Sequence, residues 1–185
     1  EWNHYGQNYF WAIGMGLLGY YMSSLFDFIG LQYVSAGIER IILFVYPTLA
    51  VIINRLFFKV PITKRQWQAI GITYLGIGIA YWGEIHLMPN TPLFLYGSLM
   101  VLLCGITYAF YLVGTGKLVP IMGISTYTSV AMIAASFGIF MHYVIVKTVN
   151  GNLENLLYTI PPNILGYVFA LALLATVIPS FLLSA

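Results

Sequence analysis

Six long apolar stretches, separated by short polar segments, constrain this chain more than any other feature of its sequence. They approach or exceed the ~20 residues that an α-helix needs to cross the hydrocarbon core of a bilayer. Their apolar residues occupy all faces, whereas a membrane β-strand would alternate with a period of two. The sequence therefore predicts an all-α, polytopic transmembrane helix bundle. The six spans are predicted at about Tyr9–Leu31, Gly37–Phe58, Trp67–Trp82, Leu93–Val113, Thr126–Val146 and Asn163–Ala185.

Charged residues are too few for a water-soluble protein. The 185 residues include 7 Lys or Arg and 5 Asp or Glu, which is 6%, whereas a soluble domain carries about 25%. This scarcity excludes a soluble enzyme, a disordered chain and, with a net charge of only +2, a nucleic-acid-binding protein. We expect the lipid bilayer and a small-molecule substrate as partners, and a homodimer is compatible with such a chain. The single cysteine and the three scattered histidines predict no disulfide, metal site or cofactor.

The basic residues predict the orientation of the spans. Four of the seven lie around the second connection: Arg55, Lys59, Lys64 and Arg65. Since positive residues favour the cytoplasmic side, this connection is predicted to be cytoplasmic. The predicted loop 114–125 then also lies inside, and the connection before Pro92 lies outside. In the last outer connection, Asn152–Tyr158 is compatible with either a short interfacial helix or an irregular loop.

One part of the sequence resembles a known family. It comprises the hairpin Gly-Leu-Gln-Tyr-Val-Ser-Ala-Gly at 30–37, then Pro47, a basic segment at Lys59–Arg65 and a glycine-rich helix at Gly71–Gly83. This order resembles the third, fourth and fifth helices of EamA-type transporters of the drug/metabolite transporter superfamily. The later spans are similar to the sixth to eighth helices of that family.

The resemblance implies ten spans built as two inverted five-helix repeats. Residues 1–85 would then be spans three to five, the end of the first repeat, and residues 86–185 would be spans six to eight, the start of the second. We expect the chain to be an internal part of a longer protein, because Glu1 is not an initiator Met and the last span has no polar flank. Overlaying Trp11–Gly30 on Gly166–Ala185 matches apolar character but few identities.

A polar stripe runs along the first span. Tyr20, Ser23, Ser24 and Asp27 recur at helical spacing, and Asp27 is a charge inside the span. Since a carboxylate in a membrane helix costs roughly 2.5–3.5 kcal/mol on insertion scales, the stripe is predicted to face the bundle interior or a watery cavity. Three interpretations of Asp27 stay open. It pairs with Arg40, it contacts substrate or couples protons, or it is solvated near the membrane surface.

Two prolines lie inside spans. Pro47 follows Tyr46, and Pro179 lies near Thr176 and Ser180. Proline removes a backbone hydrogen bond and kinks a helix, and transporters use interrupted helices near the midplane as gates. We interpret both prolines as hinges, with a static packing kink as the alternative.

Tyrosines mark one face of the fourth span. Tyr108 and Tyr111 share this face with Gly97, Cys104 and Thr115. Tyrosine combines an apolar ring with one polar tip, which suits a pocket for amphiphilic solutes. The alternative is packing and interfacial anchoring, since the chain holds 15 tyrosines.

Glycines in two spans indicate close helix packing. The segment Gly14–Gly19 has the spacing G-x-G-x-x-G, but it lies within a membrane span and does not follow the strand that a nucleotide site needs. Small residues let membrane helices approach closely. We expect this use at Gly14–Gly19 and also at Gly71, Gly76 and Gly78.

These features favour a secondary transporter over an enzyme. Such a protein would move small amphiphilic metabolites, amino acids or drug-like solutes by alternating access, in the efflux direction, as a multi-pass protein of a bacterial inner membrane. No Walker motif is present, so ATP is not a direct energy source. The alternatives are an intramembrane enzyme, for which no histidine lies deep in a span, and a channel or structural bundle, for which no polar filter repeats.

Overall fold

The computed structural model describes residues 2–84, 92–149 and 162–184. These residues are almost entirely helical, and no strand occurs among them. The helices are α1 (Trp2–Gly16), α2 (Ser23–Gly30), α3 (Ala36–Leu43), α4 (Tyr46–Phe58), α5 (Lys64–Glu84), α6 (Pro92–Met122), α7 (Ile124–Val149), α8 (Pro162–Leu171) and α9 (Ile178–Ser184). Two π-helical segments interrupt this pattern. The first π segment, Leu17–Met22, joins α1 to α2, and the second π segment, Ala172–Val177, joins α8 to α9.

The helices confirm the predicted all-α bundle. Four helical stretches, the first two of which combine several of these elements, are long and apolar enough to cross a membrane. They are Gly6–Gly30, Ala36–Phe58, Pro92–Met122 and Ile124–Val149. α5 has 21 residues but begins with polar and basic side chains, and the apolar part of the last helix is shorter, at Gly166–Leu182. The six apolar stretches of the sequence thus correspond to six helical regions in the part of the chain that the structure describes.

Side-chain caps explain two of the helix starts. Ser35 has extended backbone angles, and its hydroxyl oxygen accepts a hydrogen bond from the Ile38 N–H at 3.3 Å, which caps α3. Before α5, the Gln66 side-chain oxygen accepts from the Thr63 N–H at 2.8 Å, and the Thr63 hydroxyl accepts from the Gln66 N–H at 3.3 Å. This reciprocal pair is a capping box. It marks where the basic connection ends and α5 begins.

The predicted loop at 114–125 is wrong. α6 continues through Gly114 and Pro120 to Met122, and Gly123 alone separates it from α7. Gly123 has φ = +80°, a conformation that lacks the steric penalty only for glycine, and its N–H bonds to the Val119 carbonyl at 2.8 Å. Glycine and proline suggested a loop, but membrane helices tolerate both in their interior.

The chain divides into two packing units. One unit comprises residues 18–114. Its apolar core has two clusters that centre on α6. Val101 packs with Val34 and Ile38 of the α2–α3 hairpin. Ala109 and Val113 pack with Ile53 of α4. α6 is therefore the central helix of this unit.

The other unit comprises residues 1–17 and 115–185. Here α1 packs on α7, and a Cβ atom added to Gly16 would lie 2.6 Å from the Ala131 Cα. The hydroxyls of Thr115 and Tyr127 are hydrogen-bonded at 2.9 Å, and Tyr127 is completely buried. Gly16 thus confirms the close packing expected in the Gly14–Gly19 segment, whereas a Cβ atom added to Gly14 would meet nothing within 4 Å.

The glycines of α5 do not behave as predicted. A Cβ atom added to Gly71, Gly76 or Gly78 would meet nothing within 4 Å. Most side chains of α5 are exposed, so this helix has open space where the sequence indicated a tight helix contact. The expectation for these three glycines is therefore wrong for the described residues.

The two π segments align when the first and last predicted spans are overlaid. The overlay of Trp11–Gly30 on Gly166–Ala185 aligns Leu17 with Ala172 and Met22 with Val177, and these are the first and last residues of the two π segments. Each segment is followed by a buried serine that donates back to a carbonyl inside it. Ser23 donates to Gly19, and Ser180 donates to Thr176 at 2.6 Å. The overlaid spans therefore share a departure from α-helical geometry despite few identities.

Two predictions fall outside the described residues. The segment 152–158, expected as a helix or a loop, lies within 150–161, which the structure does not describe. The predicted repeat boundary between residues 85 and 86 lies within 85–91, which the structure does not describe either, and it stays a prediction.

Candidate functional site

Four tyrosines from three parts of one packing unit form a continuous aromatic cluster, here called the tyrosine cluster. Its members are Tyr20, Tyr46, Tyr108 and Tyr111. The ring centroids of Tyr20 and Tyr111 are 5.0 Å apart, those of Tyr108 and Tyr111 are 5.8 Å apart, and those of Tyr46 and Tyr108 are 5.2 Å apart. The structure thus brings together all four tyrosines that the sequence proposed as site residues.

The first π segment holds one end of this cluster. It contains both Gly19 and Tyr20, and the Tyr20 hydroxyl is hydrogen-bonded to the Tyr111 hydroxyl at 2.8 Å. Gly19 is buried against the Tyr111 ring, and a Cβ atom there would lie 2.5 Å from Tyr111 Cδ2. The missing side chain of Gly19 is therefore what allows Tyr111 to pack beside Tyr20.

A helix break holds the other end. α3 ends at Leu43 and α4 begins at Tyr46, with a 3.1 Å bond from the Val45 N–H to the Ile42 carbonyl between them. Pro47 has no N–H, so the regular bond back to the Leu43 carbonyl is impossible. The break that the sequence expected at Pro47 is present and places Tyr46 against Tyr108. Movement about Pro47 stays a prediction.

The polar stripe of the first span shares Tyr20 with the cluster. Ser23 is buried, and Tyr20, Ser24 and Asp27 are half-buried. The Oδ1 atom of Asp27 is shielded from solvent and has no hydrogen-bond partner. Since buried polar atoms are nearly always hydrogen-bonded, this oxygen is an exception that asks for an explanation.

The expected Asp27–Arg40 ion pair is not formed. Arg40 Nε instead lies 3.2 Å from Oε2 of its neighbour Glu39. The Glu39 side chain is 6% exposed, whereas the Arg40 side chain is 78% exposed. Adjacent residues on a helix point about 100° apart, so one faces the core while the other turns outward and reaches back. The Arg40 side chain is therefore largely exposed, whereas Glu39, which was not a predicted site residue, is buried.

Cys104 lies on α6, one turn before Tyr108, and it is buried and not part of a disulfide. The spacing of residues 104, 108 and 111 on α6 predicted a shared face. The rings of Tyr108 and Tyr111 do lie together on it, 5.8 Å apart.

A groove of about 400 Å³ adjoins the cluster. Phe44, Tyr46 and Pro47 line it from the helix break, and residues of α5 including Thr73 and Gly76 line it from the other side. This volume lies within the ~300–1,000 Å³ of small-molecule sites. Tyr46 thus borders both the groove and the buried rings. Larger apolar depressions run along single exposed helices, α5 and the α8–α9 region, and lack such convergent polar groups.

The second predicted hinge belongs to the other packing unit. Pro179 lies in α9, directly after the second π segment, and Ser180 is buried beside it. The structure places a helix irregularity next to this proline too. Pro179 is not part of the tyrosine cluster, and its role as a hinge stays a prediction.

Comparison with known proteins relates the first part of the chain to a family. Residues 1–82 match the EamA-like transporter family. The chain is 30% identical over 175 residues to the uncharacterized transporter YcbK of Bacillus subtilis, an alignment that covers 93% of this chain and 54% of the relative. The chain therefore spans about half the length of the curated relative it matches, and no solved structure matches it. The resemblance seen in the sequence is confirmed: residues 1–82 match the EamA-like transporter family, and nearly the whole chain is similar to a Bacillus transporter.

Proposed function

We propose that the protein containing this chain is a secondary transporter for small amphiphilic metabolites, amino acids or drug-like solutes. The observation that carries the proposal is the tyrosine cluster, which borders the groove at Pro47 through Tyr46, on a unit that also holds the shielded, unpartnered Oδ1 atom of Asp27. It lies within a unit that contains helices of membrane-spanning length. The family match and the Bacillus relative support transport as the activity.

The chemistry of the cluster suits an amphiphilic solute. Tyrosine rings bury apolar surface, while their hydroxyls and the Asp27 carboxyl supply a few polar contacts. Tyr46 borders the groove and contacts Tyr108. A solute that enters from the groove would therefore meet Tyr46 first and the deeper rings afterwards.

Alternating access is supported by the repeated irregularities. Transporters with internal repeats often place interrupted helices at equivalent positions around a central site. In the overlay of the two spans, the first residues of the two π segments align with each other, and so do their last residues. We also propose that the two repeats divide between residues 85 and 86 and that Pro47 and Pro179 act as hinges. The protein would work in the efflux direction, as a homodimer in a bacterial inner membrane.

Reconstitution of the full-length protein in proteoliposomes tests this proposal. Uptake and efflux of amino acids and aromatic amines would be followed with and without a proton gradient. We expect Tyr108→Leu to reduce flux strongly. Tyr167→Leu is the matched control, because Tyr167 lies on α8 and is 79% exposed. Absence of solute-dependent flux under every gradient, or equal loss in both variants, would contradict the proposal.

A further inference from the structure

The connection between α4 and α5 concentrates positive charge without any acid. Its exposed basic side chains, here called the basic surface, are Arg55, Lys59, Lys64 and Arg65. The sequence has no Asp or Glu between residues 41 and 83. The ion pair among the described residues joins Glu39 to Arg40. In the part of the chain that the structure describes, none of the four basic side chains therefore forms an ion pair.

The fold brings the two ends of this connection together. Its residues 60–62 line a cavity of about 30 Å³ with Val51 and Asn54 of α4 and Gln66 of α5. The Val60 N–H bonds back to the Asn54 carbonyl at 3.4 Å. The end of α4 and the start of α5 thus lie around one small cavity, and the basic residues of both belong to one end of this helix pair.

The start of α5 makes the charge imbalance worse. A helix carries a partial positive charge at its N-terminus and a partial negative charge at its C-terminus. Arg55 lies in the last turn of α4 and Lys59 is its C-cap, so the negative end of α4 can balance them. Lys64 and Arg65 instead open α5, whose first turn holds no acid. Their two charges add to the positive helix end, and an anion would relieve this repulsion.

Apolar side chains adjoin the basic surface. Leu56 is 69% exposed, Phe57 is 67% exposed and Trp67 is 61% exposed. The stretch of membrane-spanning length that contains α4 ends at Phe58. Basic and aromatic residues at the end of a span lie at the level of the lipid headgroups. Lys64 and Trp67 are three residues apart on α5 and therefore share a face. An anion that fits here has an apolar part as well as a charge.

We propose that the basic surface binds the headgroup of an anionic phospholipid, with the phosphate at Lys64 and Arg65 and the acyl chains along the exposed apolar side chains. The guanidinium fork of arginine matches a phosphate with two parallel hydrogen bonds, and lysine adds a point charge. Basic clusters beside membrane spans attract anionic lipids in this way. The proposal goes beyond transport, because it concerns the lipid next to the protein and holds for any solute.

The test measures lipid binding to the full-length protein in dodecyl maltoside micelles, where the orientation set during membrane insertion has no influence. Brominated phosphatidylglycerol and brominated phosphatidylcholine quench a tryptophan that they touch. The Trp67 signal is the difference between each protein and its Trp67→Phe version. Glycerol 3-phosphate, which has the phosphate but no acyl chain, is the competitor.

The variants remove charge at the start of α5 or elsewhere. Lys64→Gln and Arg65→Gln are made singly and together, and Lys64→Arg retains the charge. The matched control is Lys147→Gln, which removes one lysine from the last turn of α7 in the other packing unit. Melting curves show whether each variant is folded.

We expect wild-type protein to bind phosphatidylglycerol at least about fivefold more tightly than phosphatidylcholine, and Lys64→Gln or Arg65→Gln each to lower this preference by about two- to fivefold. Lys64→Arg and Lys147→Gln should keep it. Since the charges are exposed, about 0.5 M salt should reduce it strongly.

Three results would overturn the proposal: equal binding of the two lipids, an unaltered preference in the double variant, or equal losses in Lys64→Gln and Lys147→Gln. Displacement of phosphatidylglycerol by glycerol 3-phosphate at equal concentration would also overturn it, because the site would then select a soluble anion. If a variant fails to fold, the comparison of the two lipids on wild-type protein at low and high salt decides.

Discussion

The hydroxyl groups of Tyr20 and Tyr111 lie 2.8 Å apart, although 91 positions separate the two residues in the chain. Tyr20 lies in the first π segment, and Tyr111 is completely buried on α6. The bond therefore joins an irregular turn of one helix to the buried face of another. Single substitutions can measure the strength of this hydrogen bond and of the packing around it.

Removing either hydroxyl should weaken the fold by a similar amount. We expect Tyr20→Phe and Tyr111→Phe each to lower the free energy of unfolding by about 0.5–1.5 kcal/mol, since each removes the same hydrogen bond and keeps both rings. Chemical denaturation in detergent measures these values. If the losses simply add in the double variant, the two hydroxyls do not interact.

Gly19→Ala should disrupt the cluster sterically. The new methyl group would overlap the Tyr111 ring, and overpacking of this kind typically costs about 1–3 kcal/mol. The control is Gly14→Ala in α1, where an added Cβ meets nothing within 4 Å. That change should be neutral or stabilising by up to about 1 kcal/mol, because alanine favours a helix more than glycine does. Similar melting temperatures for the two variants would contradict the packing described here.

Pro47→Ala distinguishes a hinge from a static kink. Restoring the N–H allows a bond to the Leu43 carbonyl and favours a continuous helix from α3 into α4. We expect a several-fold lower maximal flux with an unchanged melting temperature. The control is Pro120→Ala, a second proline inside a helix but outside the candidate site. Unaltered flux in Pro47→Ala, with a lower melting temperature, would assign Pro47 to packing alone.

The Glu39–Arg40 pair should respond unequally to the loss of its two members. Arg40→Gln leaves the buried Glu39 carboxyl without its cation, whereas Glu39→Gln leaves an exposed arginine that water can solvate. We therefore expect a lower melting temperature in Arg40→Gln than in Glu39→Gln. The double variant should recover most of the loss. A double variant less stable than Arg40→Gln would show that the pair does not act as a unit.

The helical regions could be predicted from the sequence because a single physical quantity decides their length. The thickness of the bilayer sets the length of an apolar helix, and this sufficed to find six helical regions. The same reasoning failed at 114–125, because glycine and proline end helices in water more readily than in a membrane bundle. α6 accordingly runs on to Met122.

The sequence predicted which side of each helix carries the site residues, but not which residues of other helices they contact. Helical spacing showed that Tyr108 and Tyr111 share one side of their helix, and that Tyr20 and Asp27 share one side of another. Spacing within one helix does not show which distant residue lies opposite. The contact of Tyr20 with Tyr111, the groove beside Tyr46, and the preference of Arg40 for Glu39 over Asp27 are therefore properties of packing.

The first π segment affects the direction in which the later side chains of the same span point. An α-helix turns about 100° per residue, and a π turn contains one extra residue, so it rotates every following side chain relative to an uninterrupted helix. Leu17–Met22 lies directly before Ser23, Ser24 and Asp27. This single extra residue therefore sets the direction in which Asp27 points. If the π turn moved along the helix by one position, it would redirect the side chain at that position while the rest of the span kept its hydrogen bonds.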